Sequence, residues 1–361
     1  MRARSTRDLV VLTASVIIVA TGCSSDDTVA GASDGPTAST YAEALDNVPA
    51  DTATFEFHDV AAAESRLGIE DEHDPRAYID AIQEDGAVSS ALLPYLAMMS
   101  DTAWDATDIV WEVQAGTPPD SLGVRRLDDD VDLDAAVEEF KDAGYSGESA
   151  SGGTLLTAEL DDLASKDPAR YVELGLAELV LPDRHLIVSA PNQEALATYT
   201  DMGESLADAG TFDDLAGDDA GLEFLYAQAD ESACSPVANP TGTGTDSDAV
   251  AKKILEPYED LGTPEATTLT IATDDDHLTA TARLAFDDAD TAESDLDARS
   301  TLLNDGTSLV TGKPFSTYLT VADATTNDSV ETIELDADDT PYRLMEMVAQ
   351  RDVPFFACAP A

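Results

Sequence analysis

The carboxylates between residues 128 and 139 come closest to the spacing of a metal site. Asp128, Asp130, Asp132 and Glu139 occupy positions 1, 3, 5 and 12 of an EF-hand calcium loop. Position 6 of such a loop needs glycine for its tight turn, but Leu133 stands there. Acidic residues are also favoured in the first turn of a helix. We therefore expect this segment to begin a helix, and the sequence predicts no metal site.

No combination of nucleophile, acid and base in the sequence predicts catalysis. The four histidines, His58, His73, His185 and His277, do not have the spacing of metal ligands. The chain holds 74 aspartates and glutamates, so carboxylate pairs occur at every spacing and none can be singled out. We predict no catalytic residue and no cofactor, and the sequence favours a protein that is not an enzyme.

The first 22 residues have the features of an export signal. Arg2, Arg4 and Arg7 precede an apolar run that extends from Leu9 to Ala20, and this order is typical of secretory signals. A run of about a dozen residues is too short to cross a bilayer, which needs about 20. We therefore expect residues 1–22 to be removed on export.

The residues at the end of this signal are Ala20, Thr21, Gly22 and Cys23. Small residues directly before a cysteine resemble the lipobox of bacterial lipoproteins, although Ala20 stands where the pattern more often has leucine. The resemblance, which extends to the polar stretch that follows and to the Ala/Asp-rich composition, is to exported lipoproteins of actinobacteria. It implies that Cys23 carries a lipid and becomes the first residue of the mature protein at the outer face of the cell membrane. An ordinary signal with an incidental cysteine is the alternative.

Only Cys234 and Cys358 then remain in the exported body. In an oxidising compartment, an isolated pair of cysteines is more typical of a disulfide than of a metal site or a nucleophile. Each cysteine also follows a predicted strand. We therefore predict a Cys234–Cys358 disulfide, and a pair of inert buried thiols is the alternative.

Capping residues and alternating apolar residues predict helices that are interspersed with hairpins. Helices are expected after Asp74, Asp167, Asn192, Ser247, Asp290 and Thr340. Strands are expected at 54–58, 109–113, 222–226 and 316–322, with hairpins at 179–189 and 267–286. Hairpins favour antiparallel sheets with helices packed on one face, which is an α+β fold.

The length of the chain suggests more than one core. Residues 23–40 are small and polar and are expected to form a flexible tether behind the lipidated cysteine. About 320 residues follow, which is more than a single hydrophobic core usually contains. We therefore predict two α+β lobes, at 41–216 and 217–361. A helix, a hairpin, a helix and a strand occur in the same order around His185 and His277, which suggests a weak internal duplication.

The charge of the chain limits its partners. Residues 1–22 hold three arginines and one aspartate, so their removal changes the net charge from −56 to −58. Such a body cannot neutralise phosphates and is not expected to bind nucleic acid. It would also be repelled by an anionic membrane surface, so the lipid must provide the attachment. We expect weak, non-specific binding of cations.

These observations favour a lipid-anchored, highly acidic protein of the cell envelope that binds an unknown envelope partner or ligand or has a structural role. A solute-binding lipoprotein of a transporter is an alternative, but such proteins usually have parallel sheets. A hydrolase of envelope polymers is a further alternative, for which no nucleophile or metal signature is present.

Overall fold

The predicted strands pair into one antiparallel sheet. A computed structural model describes residues 39–358 except 71–73, 100–101, 118, 151, 164–174, 218–220, 234–255, 259, 275–276, 309–310, 337–340, 350–351 and 353. Its twelve strands are β1 Thr54–Asp59, β2 Ile109–Ala115, β3 Leu122–Leu127, β4 Ser146–Ala150, β5 Gly153–Thr157, β6 Ala177–Leu181, β7 Leu186–Ala190, β8 Leu222–Ala229, β9 Ala266–Asp274, β10 His277–Ala285, β11 Thr320–Asn327 and β12 Val330–Asp336. Their order in the sheet is β11-β12-β10-β9-β8-β1-β2-β3-β7-β6-β5-β4. The α+β class with antiparallel strands is confirmed.

Helices of the described ranges connect these strands. They are α1 Thr40–Leu45, α2 Val60–Leu67, α3 Pro75–Asp85, α4 Leu96–Met99, α5 Leu133–Ala143, α6 Leu160–Leu163, α7 Gln193–Thr200, α8 Leu206–Ala209, α9 Asp213–Ala216, α10 Ala289–Asp305 and α11 Pro341–Ala349. Asp74 caps α3 by accepting hydrogen bonds from Arg76 N and Ala77 N at 2.9 and 3.2 Å, as predicted. Asp132 likewise caps α5, so that segment is the start of a helix.

Several predicted helices need correction. The cap of α10 is Asp288, two residues before the predicted Asp290, because the side chain of Asp288 accepts the bond from Thr291 N. The apolar spacing after Asn192 predicts one helix that extends to Leu206, but α7 ends at Thr200 and Leu206 begins α8, a separate helix capped by Ser205. The helices predicted after Asp167 and Ser247 fall largely on residues outside the described ranges.

The two predicted lobes are two halves of one sheet. Strands β1–β7 form one half and β8–β12 the other, and β1 pairs with β8 across the predicted boundary at residue 216. Phe57 lies opposite Leu225 in this pair, and both side chains are buried. The pairing leaves neither half with an exposed edge at the boundary, and the described residues belong to one compact unit.

The sheet contains an internal repeat, but not the one that the sequence suggested. Outward from the middle, β1-β2-β3-β7-β6 in one half corresponds to β8-β9-β10-β12-β11 in the other. Hairpin β6–β7 therefore corresponds to β11–β12 and not to β9–β10, with which the sequence had aligned it. The strand predicted at 316–322 is instead a 3₁₀ turn, Phe315–Thr317, followed by β11. Strands β4 and β5 are extra in the first half.

The two faces of the sheet are covered differently along its length. We call the face that carries Phe57 and Trp111 the first face and the face that carries Glu112 and Phe224 the second face. In the first half, α1 and α7 pack on the first face, while α3 and α5 pack on the second. In the second half, α10 and α11 pack on the second face. Among the described helices, the short α9 packs on the first face of the second half, where Thr268 of β9 donates to the carbonyl oxygen of Leu215. The prediction that helices lie on one face therefore comes closest to the arrangement of the second half.

The first face of the outer strands in the second half is polar and largely open. Thr279, Glu334, Asp323 and Thr325 lie there and are exposed. The sheet ends at β4 on one side and β11 on the other, and β11 has a bulge between Val321 and Asp323. Alternation along β10 puts its apolar residues on the second face, as predicted.

Candidate functional site

A row of buried polar side chains crosses the second face in the first half of the sheet. This buried polar row consists of Glu178, Ser189, Arg125, Glu112 and Ser90, each at most 3% exposed. Its members meet because Glu178 lies opposite Ser189, and Glu112 opposite Arg125, in adjacent strands. Alternation in the sequence places all of the strand residues among them on one face.

The hydrogen bonds of the buried polar row are mostly internal. Arg125 donates from Nε to Glu112 Oε2 at 3.3 Å and from Nη1 to Ser189 Oγ at 3.0 Å. Ser189 Oγ donates in turn to Glu178, and Ser90 Oγ donates to Glu112 Oε2 at 2.9 Å. Burial raises the pKa of Glu178 well above its usual range, although Ser189 and Arg125 oppose the shift. The row therefore links adjacent strands around the Arg125–Glu112 ion pair, beside a carboxyl group whose pKa burial raises.

Gly123 makes room for this arrangement. A Cβ atom there would lie 3.2 Å from both Nη atoms of Arg125 and from Nε2 of Gln114. The absence of a side chain therefore lets the guanidinium and the amide lie over strand β3. The buried polar row was not predicted, although charged residues at 112, 125 and 178 within apolar strand patterns were the available signal.

His58 lies beside the buried polar row on β1. Its Nδ1 lies 2.6 Å from the carbonyl oxygen of Ser89, and its Nε2 lies 2.6 Å from Oε1 of Glu56. Both ring nitrogens therefore face acceptors, and the imidazolium form satisfies both. Burial lowers the pKa of His58, but the bond and attraction to Glu56, with further contributions from Glu112 and Ser89, raise it to about 8. The Glu56-x-His58 spacing, which puts both on one face, was the missed sequence signal.

A second buried cluster lies in the other half of the sheet and consists of Asp295, Arg299 and Glu331, all 0% exposed. Arg299 donates to both carboxylate oxygens of Asp295 at 2.7 and 2.9 Å. It also donates to the carbonyl oxygens of Pro354 and Ala357 at 2.9 and 3.0 Å. Arg299 therefore fastens the C-terminal segment to α10, a role that no pattern in the sequence predicts.

Glu331 is the unbalanced member of the Asp295–Arg299–Glu331 cluster. Its Oε1 lies 3.8 Å from Arg299 Nε, beyond hydrogen-bond distance, and its carboxyl group, when protonated, forms a side-chain hydrogen bond with the Asp295 carboxylate. Burial raises the pKa of Glu331 to about 9, with Arg299 lowering it and Asp295 raising it. One buried arginine is thus paired with one buried carboxylate, while Glu331 stays neutral near pH 7.

Acidic residues also gather near the start of α2 and the end of β3. Tyr78 donates to Glu64 Oε1 at 2.6 Å. Burial and repulsion from neighbouring carboxylates, opposed by that bond, raise the pKa of Glu64 to about 7. Burial and nearby acidic groups also raise the pKa of Asp108 and Asp128. In the described ranges, no group of three or more His, Cys, Asp or Glu side chains could hold a metal ion.

An open cavity of about 350 Å³ lies beside the ends of β4, β5 and β6, at the lower end of the range for ligand sites. Ser146, Thr157, Glu159, Leu176, Asn192 and Gln193 contribute to its lining. The walls are set by backbone bonds, in which Ala158 N donates to Leu176 O and Leu176 N donates to Ala190 O. Gly175 permits this approach, because a Cβ atom there would lie 2.3 Å from the oxygen of Ala190.

Of the three cysteines predicted to be modified, the structure describes only Cys358. Cys23 and Cys234 lie outside the described residues. Cys358 is buried at 3% exposure beside the segment that Arg299 holds. The disulfide therefore stays a prediction. His73 also lies outside the described residues, while His277 is exposed at the start of β10. Among the described helices, none is long and apolar enough to cross a membrane.

Comparison with known proteins gives no family. No family model matches the chain, and no curated protein matches it. Among solved structures, crystal form I of TP0453 matches 86% of this chain and 98% of its own with 10% identity and a TM-score of 0.39. Crystal form III of TP0453 matches 84% and 97% with 11% identity and a TM-score of 0.41. Similarity at this level carries no inference about function.

Proposed function

We propose that this chain is a lipid-anchored, highly acidic protein of the cell envelope with a binding role, held at the outer face of the cell membrane through Cys23. The basic start, the short apolar run and the small residues before Cys23 support export and lipidation. The net charge of −58 after removal of residues 1–22 supports attachment by lipid, because the body itself is repelled by anionic lipids.

The observation that carries the binding role is the cavity beside β4, β5 and β6. Its polar residues are exposed to solvent, apart from Thr157, which is half-buried. The charged groups of the buried polar row and of the Asp295–Arg299–Glu331 cluster are instead used in internal bonds or buried. The cavity therefore offers polar groups to a ligand, and the buried groups stabilise the sheet that supports it.

The experiment is a comparison of Cys23→Ala with Ser24→Ala in cells grown with labelled palmitate. We expect the unaltered protein and the Ser24→Ala control to incorporate label and to fractionate with membranes. Cys23→Ala should lack label and either accumulate as precursor or leave the membrane. Detection of at least two acyl chains on Cys23 would further support a lipid anchor, since a single acyl chain gives only marginal membrane binding. A mature, membrane-bound and unlabelled Cys23→Ala protein would overturn the proposal.

A further inference from the structure

The chemistry of the cavity lining defines what it can bind. Ser146 and Thr157 lie opposite each other in the β4–β5 pair and contribute hydroxyl groups. Gln193 contributes an amide group at the start of α7. Asn192 contributes the NH2 of its amide, because its Oδ1 already caps α7 by accepting from Ala195 N at 2.9 Å. The hydroxyl groups and the Gln193 amide can each both donate and accept a hydrogen bond. The lining thus matches a ligand with many groups that do the same.

Charge narrows the class of ligand. Among the described residues that line the cavity there is no lysine, arginine or histidine, and the chain is strongly acidic, so an anionic ligand would be repelled. Of these described lining residues, Glu159 alone has an ionisable side chain, and it is exposed. One exposed carboxylate is a weak basis for recognising a cation. The charge distribution therefore favours an uncharged ligand.

The cavity also has a small apolar surface. Leu176 and Ala158 belong to the lining, and both are half-buried. An apolar patch beside hydroxyl and amide groups fits a molecule with C–H faces and hydroxyl edges. A purely apolar ligand would leave the hydroxyl and amide groups desolvated without partners, which is unfavourable.

We propose that this cavity binds an uncharged saccharide unit. The hydroxyl and amide side chains exchange hydrogen bonds with its hydroxyl groups, and Leu176 contacts a ring face. This inference rests on the binding role proposed above and names its ligand class. It does not depend on the lipid anchor, which the Cys23→Ala experiment tests separately.

The test uses the full chain in detergent and ligand-observed NMR. The neutral probes are N-acetylglucosamine and maltose, and the charged probes are glucuronate and glucosamine. We expect saturation transfer to at least one neutral probe, and much weaker transfer to glucuronate. Gln193→Ala should weaken binding of that probe by at least fivefold. Gln83→Ala is the matched control, because Gln83 is also an exposed glutamine on a helix, and it should leave binding unchanged.

A further variant separates a neutral ligand from a cationic one. Glu159→Gln keeps the hydrogen-bonding shape of the side chain but removes its charge, so the preference for the neutral probe over glucosamine should persist in this variant. Stronger binding of glucosamine that Glu159→Gln abolishes would overturn the uncharged class. No transfer to either neutral probe, or transfer that Gln193→Ala leaves unchanged, would overturn the saccharide site while leaving lipid attachment untouched.

Discussion

The two halves of the sheet handle buried charge in different ways. In the first half, helices cover both faces and the buried polar row links side chains across β2, β3, β6 and β7. In the second half, helices cover mainly one face, and Asp295, Arg299 and Glu331 form a compact cluster at α10. The first half distributes its polar groups along hydrogen bonds between strands. The second half concentrates them at the point where the C-terminal segment is fastened.

This difference indicates where each half depends on single residues. In the buried polar row, several residues supply the hydrogen bonds to the buried charged groups, since Ser90 and Ser189 both contribute. The Asp295–Arg299–Glu331 cluster depends on one arginine, because Arg299 supplies the side-chain donors to both Asp295 and the C-terminal carbonyls. Single substitutions should therefore cost more in the second half than in the first.

The largest effect is expected at Cys358, whose predicted bridge to Cys234 would close a loop of 124 residues in the second half. Cys358→Ala should lower the free energy of unfolding by up to about 5 kcal/mol on the chain-entropy model, measured by urea denaturation. Thiol titration of the unfolded, unreduced protein should find no reactive thiol. Two equivalents of thiol would show that the bridge is absent.

The next effect compares the two buried arginines. Arg125→Met and Arg299→Met should each cost about 3–5 kcal/mol, because each leaves a buried carboxylate without its partner. Arg299→Met should be the more damaging, since it also releases two backbone carbonyls. Arg343→Met is the control: Arg343 is exposed, pairs with Glu346 and lies over the Tyr318 ring, and its replacement should cost no more than about 1–2 kcal/mol. Equal losses of unfolding free energy in all three variants would contradict the proposed difference between buried and exposed arginines and between the two halves.

Glu331→Gln should stabilise the protein at pH 7. The pKa of Glu331 is raised to about 9, so its contribution to stability is full below the unfolded value of about 4.5 and falls as pH rises toward 9. At pH 7, about 2.5 pH units above the unfolded value, the wild type has lost about 3 kcal/mol that the neutral amide retains. Glu334→Gln, on the exposed face of the same strand, is the control and should change little. A Glu331→Gln protein that is less stable at pH 7 and at pH 5 would contradict the assignment.

The histidine of the first half should give a pH dependence in a different window. Because the pKa of His58 is raised from 6.5 to about 8, its contribution is full below pH 6.5 and is lost as pH rises through 8. The expected loss is about 2 kcal/mol, at about 1.4 kcal/mol per unit. His58→Gln should remove this slope between pH 6.5 and 8, measured as the difference in unfolding free energy from wild type. Parallel curves for the two proteins would refute it.

The smallest effect concerns salt. Repulsion among exposed carboxylates opposes the folded state, and screening acts over about 10 Å at 0.1 M. Sodium and calcium chloride at equal ionic strength should therefore raise the melting temperature by similar amounts. Saturable stabilisation by micromolar calcium that sodium cannot reproduce would instead indicate a dedicated site. Asp128→Asn would then be the first variant to examine.

The sequence predicted local structure better than long-range arrangement. The cap at Asp74 and the hairpin β9–β10 are local features, set by a side chain near its own backbone or by a short turn, and both are confirmed. The pairing of β1 with β8 joins residues that are more than 160 positions apart, and no local pattern encodes it. The buried polar row could not be predicted for the same reason, because Arg125 and Ser189 meet only when their strands are adjacent. The cavity is likewise formed by turns distant in the chain.

The two edge strands of the sheet determine how copies of this protein behave when they are crowded together. Strands β4 and β11 present backbone donors and acceptors that, on a flat edge, would template the addition of another chain and allow fibres to grow. The bulge at Val321 and Asp323 interrupts the pairing pattern on β11. On β4, the strand is only five residues long and carries Glu148. Growth from either edge would also bring like charges together, so we expect this sheet to resist polymerisation at high local concentration.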